Sequence, residues 1–157
     1  MVTIGGTKRL AIAKKVILNA CEFMSSYSPC LELHYSIQSG DIPKAFDLLK
    51  QHFSVLISPA DASSRKVLFR LNCQRFIEIV RLGETLEALK FAQTTLRALS
   101  NDLSINGTPE EIETLSTISS LIAYQNPDQS PIAKYLDQSY RDDTADIVNN
   151  AVLGMLS

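Results

Sequence analysis

Two histidines, His34 and His52, and three cysteines, Cys21, Cys30 and Cys73, are the side chains from which nucleophilic or metal chemistry could be built. Nucleophilic catalysis needs a thiol or hydroxyl beside a base that a third group orients. Neither histidine stands in such a signature, and there is no Gly-x-Ser-x-Gly turn. Zinc asks for ligands at short, paired spacings. The cysteines are odd in number and lack a Cys-x-x-Cys pair, so they read as reduced, partly buried thiols. Gly5-Gly6-Thr7-Lys8 falls short of a phosphate loop, which also needs a preceding strand. Asp142, Asp143 and Asp146 could gather a cation, yet an acidic first helical turn explains them through the helix dipole. Asn106-Gly107-Thr108 has the form of a glycosylation acceptor but reads as a turn followed by a helix cap. The residues therefore predict no catalytic centre, no cofactor and no metal.

The stretch that must position the rest runs from Ser64 to Leu82. At roughly 100° per residue, Arg70, Gln74, Glu78 and Arg81 fall in one narrow polar strip. Phe69, Cys73, Phe76 and Val80 form an apolar seam at spacings of four, three and four. Leu68, Leu71, Ile79 and Leu82 form a second seam, with Ile77 on the far flank. A surface helix needs an apolar stripe of only about 100°. This wider arc makes the helix the central post of an all-helical domain, with Phe69, Cys73, Phe76 and Val80 as core. The polar strip reads as a solvated face carrying i,i+4 pairs, with partner binding as its other use.

Other segments follow the same period. Thr7–Met24 carries two apolar stripes, one of them Ile12, Val16 and Phe23, enough to meet two neighbours. Cys30–Ser39 and Asp41–Phe53 are helices separated by Gly40, and Ser54–Ser63 reads as a loop broken by Pro59. Glu84–Leu99 is a helix followed by a loop, Ser100–Gly107. Thr108-Pro109-Glu110-Glu111 is a capping box that opens a helix to about Tyr124. Ser130-Pro131 opens a short helix to Leu136. A final helix from Arg141 aligns Ala145, Val148, Val152, Met155 and Leu156 on one face. No segment alternates long enough to argue a strand. The expectation is an all-α fold of about seven or eight helices, arranged as hairpins in a bundle.

Two junctions echo each other. Gly40-Asp41-Ile42-Pro43-Lys44-Ala45-Phe46 precedes Gly83-Glu84-Thr85-Leu86-Glu87-Ala88-Leu89 by 43 positions. In both, Gly ends a helix, an acid favours the next N-terminus, and Ala permits close packing. The period is near that of helical-hairpin repeats, although any αα-hairpin makes the same demands.

Composition bounds the classes. The 157 residues are 45% hydrophobic and 20% charged, with a net charge of −2. That suits one soluble domain, at most two small ones, with a real core. It lacks the basic field of a nucleic-acid binder, and no apolar run approaches the ~18 residues of a membrane span. Lys8, Arg9, Lys14 and Lys15 interrupt the N-terminal apolar residues, so this stretch reads as a structural helix and not a targeting signal.

These residues resemble a known family. Leu33-His34-Tyr35-Ser36-Ile37-Gln38-Ser39-Gly40-Asp41-Ile42, with Ala45 beyond, resembles the start of a CTLH motif. Leu68-Phe69-Arg70-Leu71 and Cys73-Gln74-Arg75-Phe76-Ile77-Glu78-Ile79-Val80 are similar to that motif's central helix, in compressed register. Glu84–Leu96 resembles the opening of a CRA domain; Ala123-Tyr124, Ser130-Pro131-Ile132 and the last helix look like its end. No LisH motif is evident in Thr7–Ser26, and there is no SPRY or RING domain. The family is that of RanBPM-like and related scaffold subunits of the GID/CTLH ubiquitin ligase.

The resemblance implies an N-terminal helix over 1–29 as a candidate association element, a CTLH-like region over 30–83 and a CRA-like region over 84–157, in one continuous unit. It implies a non-catalytic assembly module in the cytoplasm or nucleus. Its partners would be other CTLH/CRA-type subunits or a second copy, with no nucleic acid and no membrane. The candidate interface is Ile12, Val16, Phe23, Val148, Val152, Met155 and Leu156. The alternative is a monomeric helical-repeat adaptor that binds peptides in a groove; a hydrolase with an unrecognised site stands behind both.

Overall fold

A computed structural model describes residues 27–156, so the helix expected over Thr7–Met24 lies outside the described residues, with Ile12, Val16 and Phe23. Six helices succeed one another among the described residues, and no strand occurs there. They are α1 (Tyr27–Gln38), α2 (Ile42–His52), α3 (Ala62–Arg81), α4, α5 (Pro109–Ser119) and α6 (Gln138–Leu156). Helix α4 is continuous through Thr85–Phe91, a π-helical turn at Ala92–Leu96, and Arg97–Asn106. Short 3-10 turns at Ser54–Ile57, Ser120–Ala123, Pro127–Gln129 and Ala133–Leu136 fill the connections. The chain is all-α, and its described residues divide into two compact units: residues 27–67 with 145–156, and Leu68–Thr144.

The first unit contains the α1–α2 hairpin. Gly40 has φ 84°, a left-handed conformation that costs glycine little. The Gly40 N–H bonds to the Ile37 carbonyl at 3.1 Å and the Asp41 N–H to the Ser36 carbonyl at 2.8 Å, the paired closure of a Schellman end. The Asp41 carboxylate then accepts the Lys44 N–H at 3.2 Å, capping α2 over Pro43 in its first turn. Leu33, Ile37, Ile42, Ala45 and Leu49 are fully buried. The expected loop 54–63 contains a 3-10 turn, and α3 starts at Ala62, two residues ahead of the expected Ser64. Asp61 accepts the Ser64 N–H at 2.8 Å, and hydrogen bonds from Ser64 hold its carboxyl below the usual range.

The second unit is built on α3 from Leu68 onward. Phe69, Cys73, Phe76, Ile77 and Ile79 join Ala88, Leu96, Leu103, Leu115, Ile118 and Leu121 in one core, with Val80 partly buried beside them. Gly83 repeats the Gly40 geometry: φ 75°, Gly83 N–H to Val80 carbonyl at 3.0 Å, Glu84 N–H to Ile79 carbonyl at 3.4 Å. Asp41 and Glu84 share the same backbone, φ −82° and ψ 72°. The echo is thus one junction built twice, down to the buried Ala45 and Ala88.

Helix α4 corrects one expectation. Ser100–Asn106 is helix, not loop. Its inward side chains Ala88, Ala92 and Leu96 recur every four residues. On an α-helix each such step drifts by about 40°, so the stripe turns away from the core. The wider π turn at 92–96 absorbs that drift. Leu99 and Leu103 then resume ordinary α spacing and extend the helix. Beyond Gly107, Thr108 and Glu111 exchange reciprocal cap bonds of 3.2 and 3.0 Å.

Candidate protein-interaction surfaces and a buried polar seam

The middle of the polar strip of α3 is not solvated. Gln74 is 0% exposed and Glu78 4%. The Glu78 carboxylate is gripped by the Arg141 guanidinium in a two-pronged contact, Nε to Oε1 and Nη2 to Oε2, each 2.8 Å. Arg81 adds an Nε contact to Oε1 at 3.1 Å. Thr144 Oγ1 lies 3.0 Å from Gln74 Oε1 and accepts the Arg70 Nε–H at 3.2 Å. The Arg70 guanidinium also stacks on the Tyr140 ring, 3.9 Å from its centroid. Tyr140, Arg141 and Thr144 come from the first two turns of α6, which begins at Gln138. Periodicity placed the polar residues on one face of α3 but could not show that a second polar face meets it.

His34 and Cys73 are equally interior, whereas His52 is exposed. His34 Nδ1 meets the Asn149 amide, and both residues are buried. Burial pushes the Cys73 thiol up to about 12, which keeps it protonated. Burial likewise drives the Tyr140 phenol upward, and its hydroxyl finds no hydrogen-bond partner among the described residues. No group of three His, Cys, Asp or Glu among the described residues could hold a metal ion. No described helix is long and apolar enough to cross a membrane.

Two residues of the expected interface are buried in the structure. Val148 and Val152 are 0% and 1% exposed, because the α6 face that carries them turns inward. Met155 is open, and Leu156 is half-buried. Apolar side chains open to solvent lie elsewhere: Leu82, Leu86 and Leu89 around the Gly83 junction, and Ile105 and Ile112 on either side of the α4–α5 turn. Beside Gly83 the second unit also carries two adjoining clefts, of about 450 and 80 Å³. Sequence reasoning missed both, since a cleft belongs to a packing arrangement and leaves no periodic signal.

The profile of the CTLH/CRA C-terminal to LisH motif domain matches residues 26–157. The chain belongs to this CTLH/CRA family. Among its relatives, the glucose-induced degradation protein 8 homolog of Dictyostelium discoideum is 28% identical over 130 residues, 83% of this chain and 53% of that protein. The Ran-binding protein M homolog of Arabidopsis thaliana is 28% identical over 121 residues, 77% of this chain and 24% of that protein. The glucose-induced degradation protein 8 homolog of Nematostella vectensis is 25% identical over 130 residues, 83% and 54% of the two chains. The CTLH/CRA chain thus spans about half or less of the length of these relatives. No solved structure matches it.

Proposed function

We propose that this CTLH/CRA chain is a non-catalytic assembly subunit of a GID/CTLH-type ubiquitin ligase complex, working in the cytoplasm or nucleus. The observation that carries the reading is the family match, which runs through every described helix. The chemistry is consistent with it: Glu78 of α3 is paired with Arg141 of α6, and His34 of α1 with the Asn149 amide of α6. Association engages other CTLH/CRA-type subunits or a second copy. It uses the open side chains Met155 near the end of α6 and Leu89 on α4, with the half-buried Leu156, together with Ile12, Val16 and Phe23. The alternative of a monomeric adaptor predicts no such association.

Light scattering of the purified chain, alone and co-expressed with a second CTLH/CRA subunit from the same organism, tests this. The expected result is a complex of defined mass that Leu89→Glu or Met155→Glu weakens while helicity is retained. A chain that stays monomeric at tens of micromolar and takes up no CTLH/CRA subunit would sink the reading. Val152→Asp is not a suitable probe, because a charge at a fully buried site destabilises the fold itself.

A further inference from the structure

We propose that the paired clefts beside Gly83 capture an extended segment of a partner protein that carries an aliphatic residue and a basic residue close together in sequence. The larger cleft, about 450 Å³, lies within the size range of ligand sites. Val80, Pro127, Ala133 and Leu136 give it apolar walls, and Arg81, Asp128 and Asp137 give it charge. The smaller, about 80 Å³, is lined by Ala88, Leu121, Ile122 and Tyr124 among others, and suits one aliphatic side chain. Val80, Gly83 and Pro127 line both, so the two sites are neighbours. An extended chain advances about 3.3 Å per residue, and because the clefts share three lining residues we set the two anchors within about three residues of each other.

Charge selects the occupant. Arg81, the sole cation among the described residues lining the larger cleft, is already engaged by Glu78 at 3.1 Å. Asp128 and Asp137 are exposed and make no ion pair with any described residue. The vacant electrostatic partner is therefore a cation, and an acidic or phosphorylated segment meets two carboxylates of its own sign. Gly83 keeps the floor open: a Cβ built on it meets nothing within 4 Å. Leu82 and Leu86, on either side of Gly83, are 69% and 77% exposed and supply apolar contact for the flanks of the segment. This inference goes beyond assembly with CTLH/CRA subunits and does not depend on it.

Panning a library of random dodecapeptides on the full, uncomplexed chain tests the proposal. The expected outcome is a consensus pairing Leu, Ile or Val with Lys or Arg within three positions. A fluorescein-labelled peptide of that consensus should bind about tenfold or more weaker to Asp128→Lys. Thr85→Trp, which fills the mouth of the small cleft from an exposed position, should weaken it similarly. Circular dichroism of both variants should match the parent, and binding should weaken with salt. Enrichment of no consensus, an acidic or purely apolar consensus, or a peptide whose affinity survives both substitutions would each overturn the proposal. Because the chain is tested alone, failure to join a CTLH/CRA complex would leave this result standing.

Discussion

Glu78 offers the sharpest perturbation. Its side chain is 5% exposed and is held by two guanidinium groups, that of Arg141 at 18% exposure and that of Arg81 at 33%. Removing one member of a buried ion pair typically costs about 3–5 kcal/mol, because the survivor is left uncompensated away from water. The two directions are not equivalent here. Arg141→Leu orphans the deeply buried carboxylate, with only Arg81 left to face it, so the full 3–5 kcal/mol is expected. Glu78→Leu orphans two guanidiniums that already reach solvent, so a smaller loss of about 2–3 kcal/mol follows. The double variant Glu78→Leu/Arg141→Leu removes both charges and leaves apolar groups of similar volume, and should lie within about 1 kcal/mol of the parent. Urea unfolding followed by circular dichroism reads all four proteins, provided the slope with denaturant is unchanged. The coupling energy is the departure from additivity. Additive losses, with the double variant the least stable, would show that the contact is a solvated pair of little energetic consequence. The reasoning about the seam would then be wrong.

Three further outcomes follow from the same geometry. Tyr140→Phe deletes a buried hydroxyl without a partner and keeps the ring over Arg70, so urea unfolding should show no loss and a gain of up to about 1 kcal/mol; a loss above that size would mean the hydroxyl is hydrogen-bonded. Gly83→Ala should cost about 1 kcal/mol or more from its φ of 75° alone, since no neighbour obstructs the new methyl, and Gly40→Ala should behave alike; a thermal midpoint that rises in either variant would contradict the left-handed assignment. Cys73, with its thiol pushed up to about 12, should be alkylated by iodoacetamide at pH 8 only as fast as the fold opens, as peptide mass mapping would show; labelling at the rate of an unfolded peptide would place it at the surface.

Much of the fold was legible because it is local. The helix starts at Asp41 and Thr108 and the stops at Gly40 and Gly83 depend on residues within five positions of each other, so sequence spacing carries them. Phe69, Cys73 and Phe76 were legible as core because a seam of large apolar groups has no other home. What was not legible involves two elements at once. Ser100–Asn106 reads as loop from its polar composition, yet Leu103 supplies a core contact and helix continues beneath it. Gln74 reads as surface because its own helix offers it a polar face; only the Thr144 hydroxyl, 70 positions away, shows that the face is closed. His34 looked solitary for the same reason, with its Asn149 partner 115 positions distant.

The seam also bears on the uniqueness of the fold, which stability alone does not report. The inward face of α6 presents Ala145, Val148 and Val152, and aliphatic groups at such spacings pack almost as well when a helix slides by one turn. A slide of one turn moves Arg141 about 5.4 Å, beyond any contact with Glu78, and separates Asn149 from His34. Both contacts therefore penalise the shifted packing far more than they favour the correct one, as a buried polar residue does in fixing coiled-coil register. The Glu78→Leu/Arg141→Leu variant isolates this effect, because it is expected to keep its stability. Adding His34→Leu/Asn149→Leu should then produce a protein of near-parental helicity whose amide NMR resonances multiply or broaden for residues of α6. A single sharp set of α6 resonances in the fourfold variant would show that apolar packing alone fixes the helix, and the polar contacts would lose their claim to set its register.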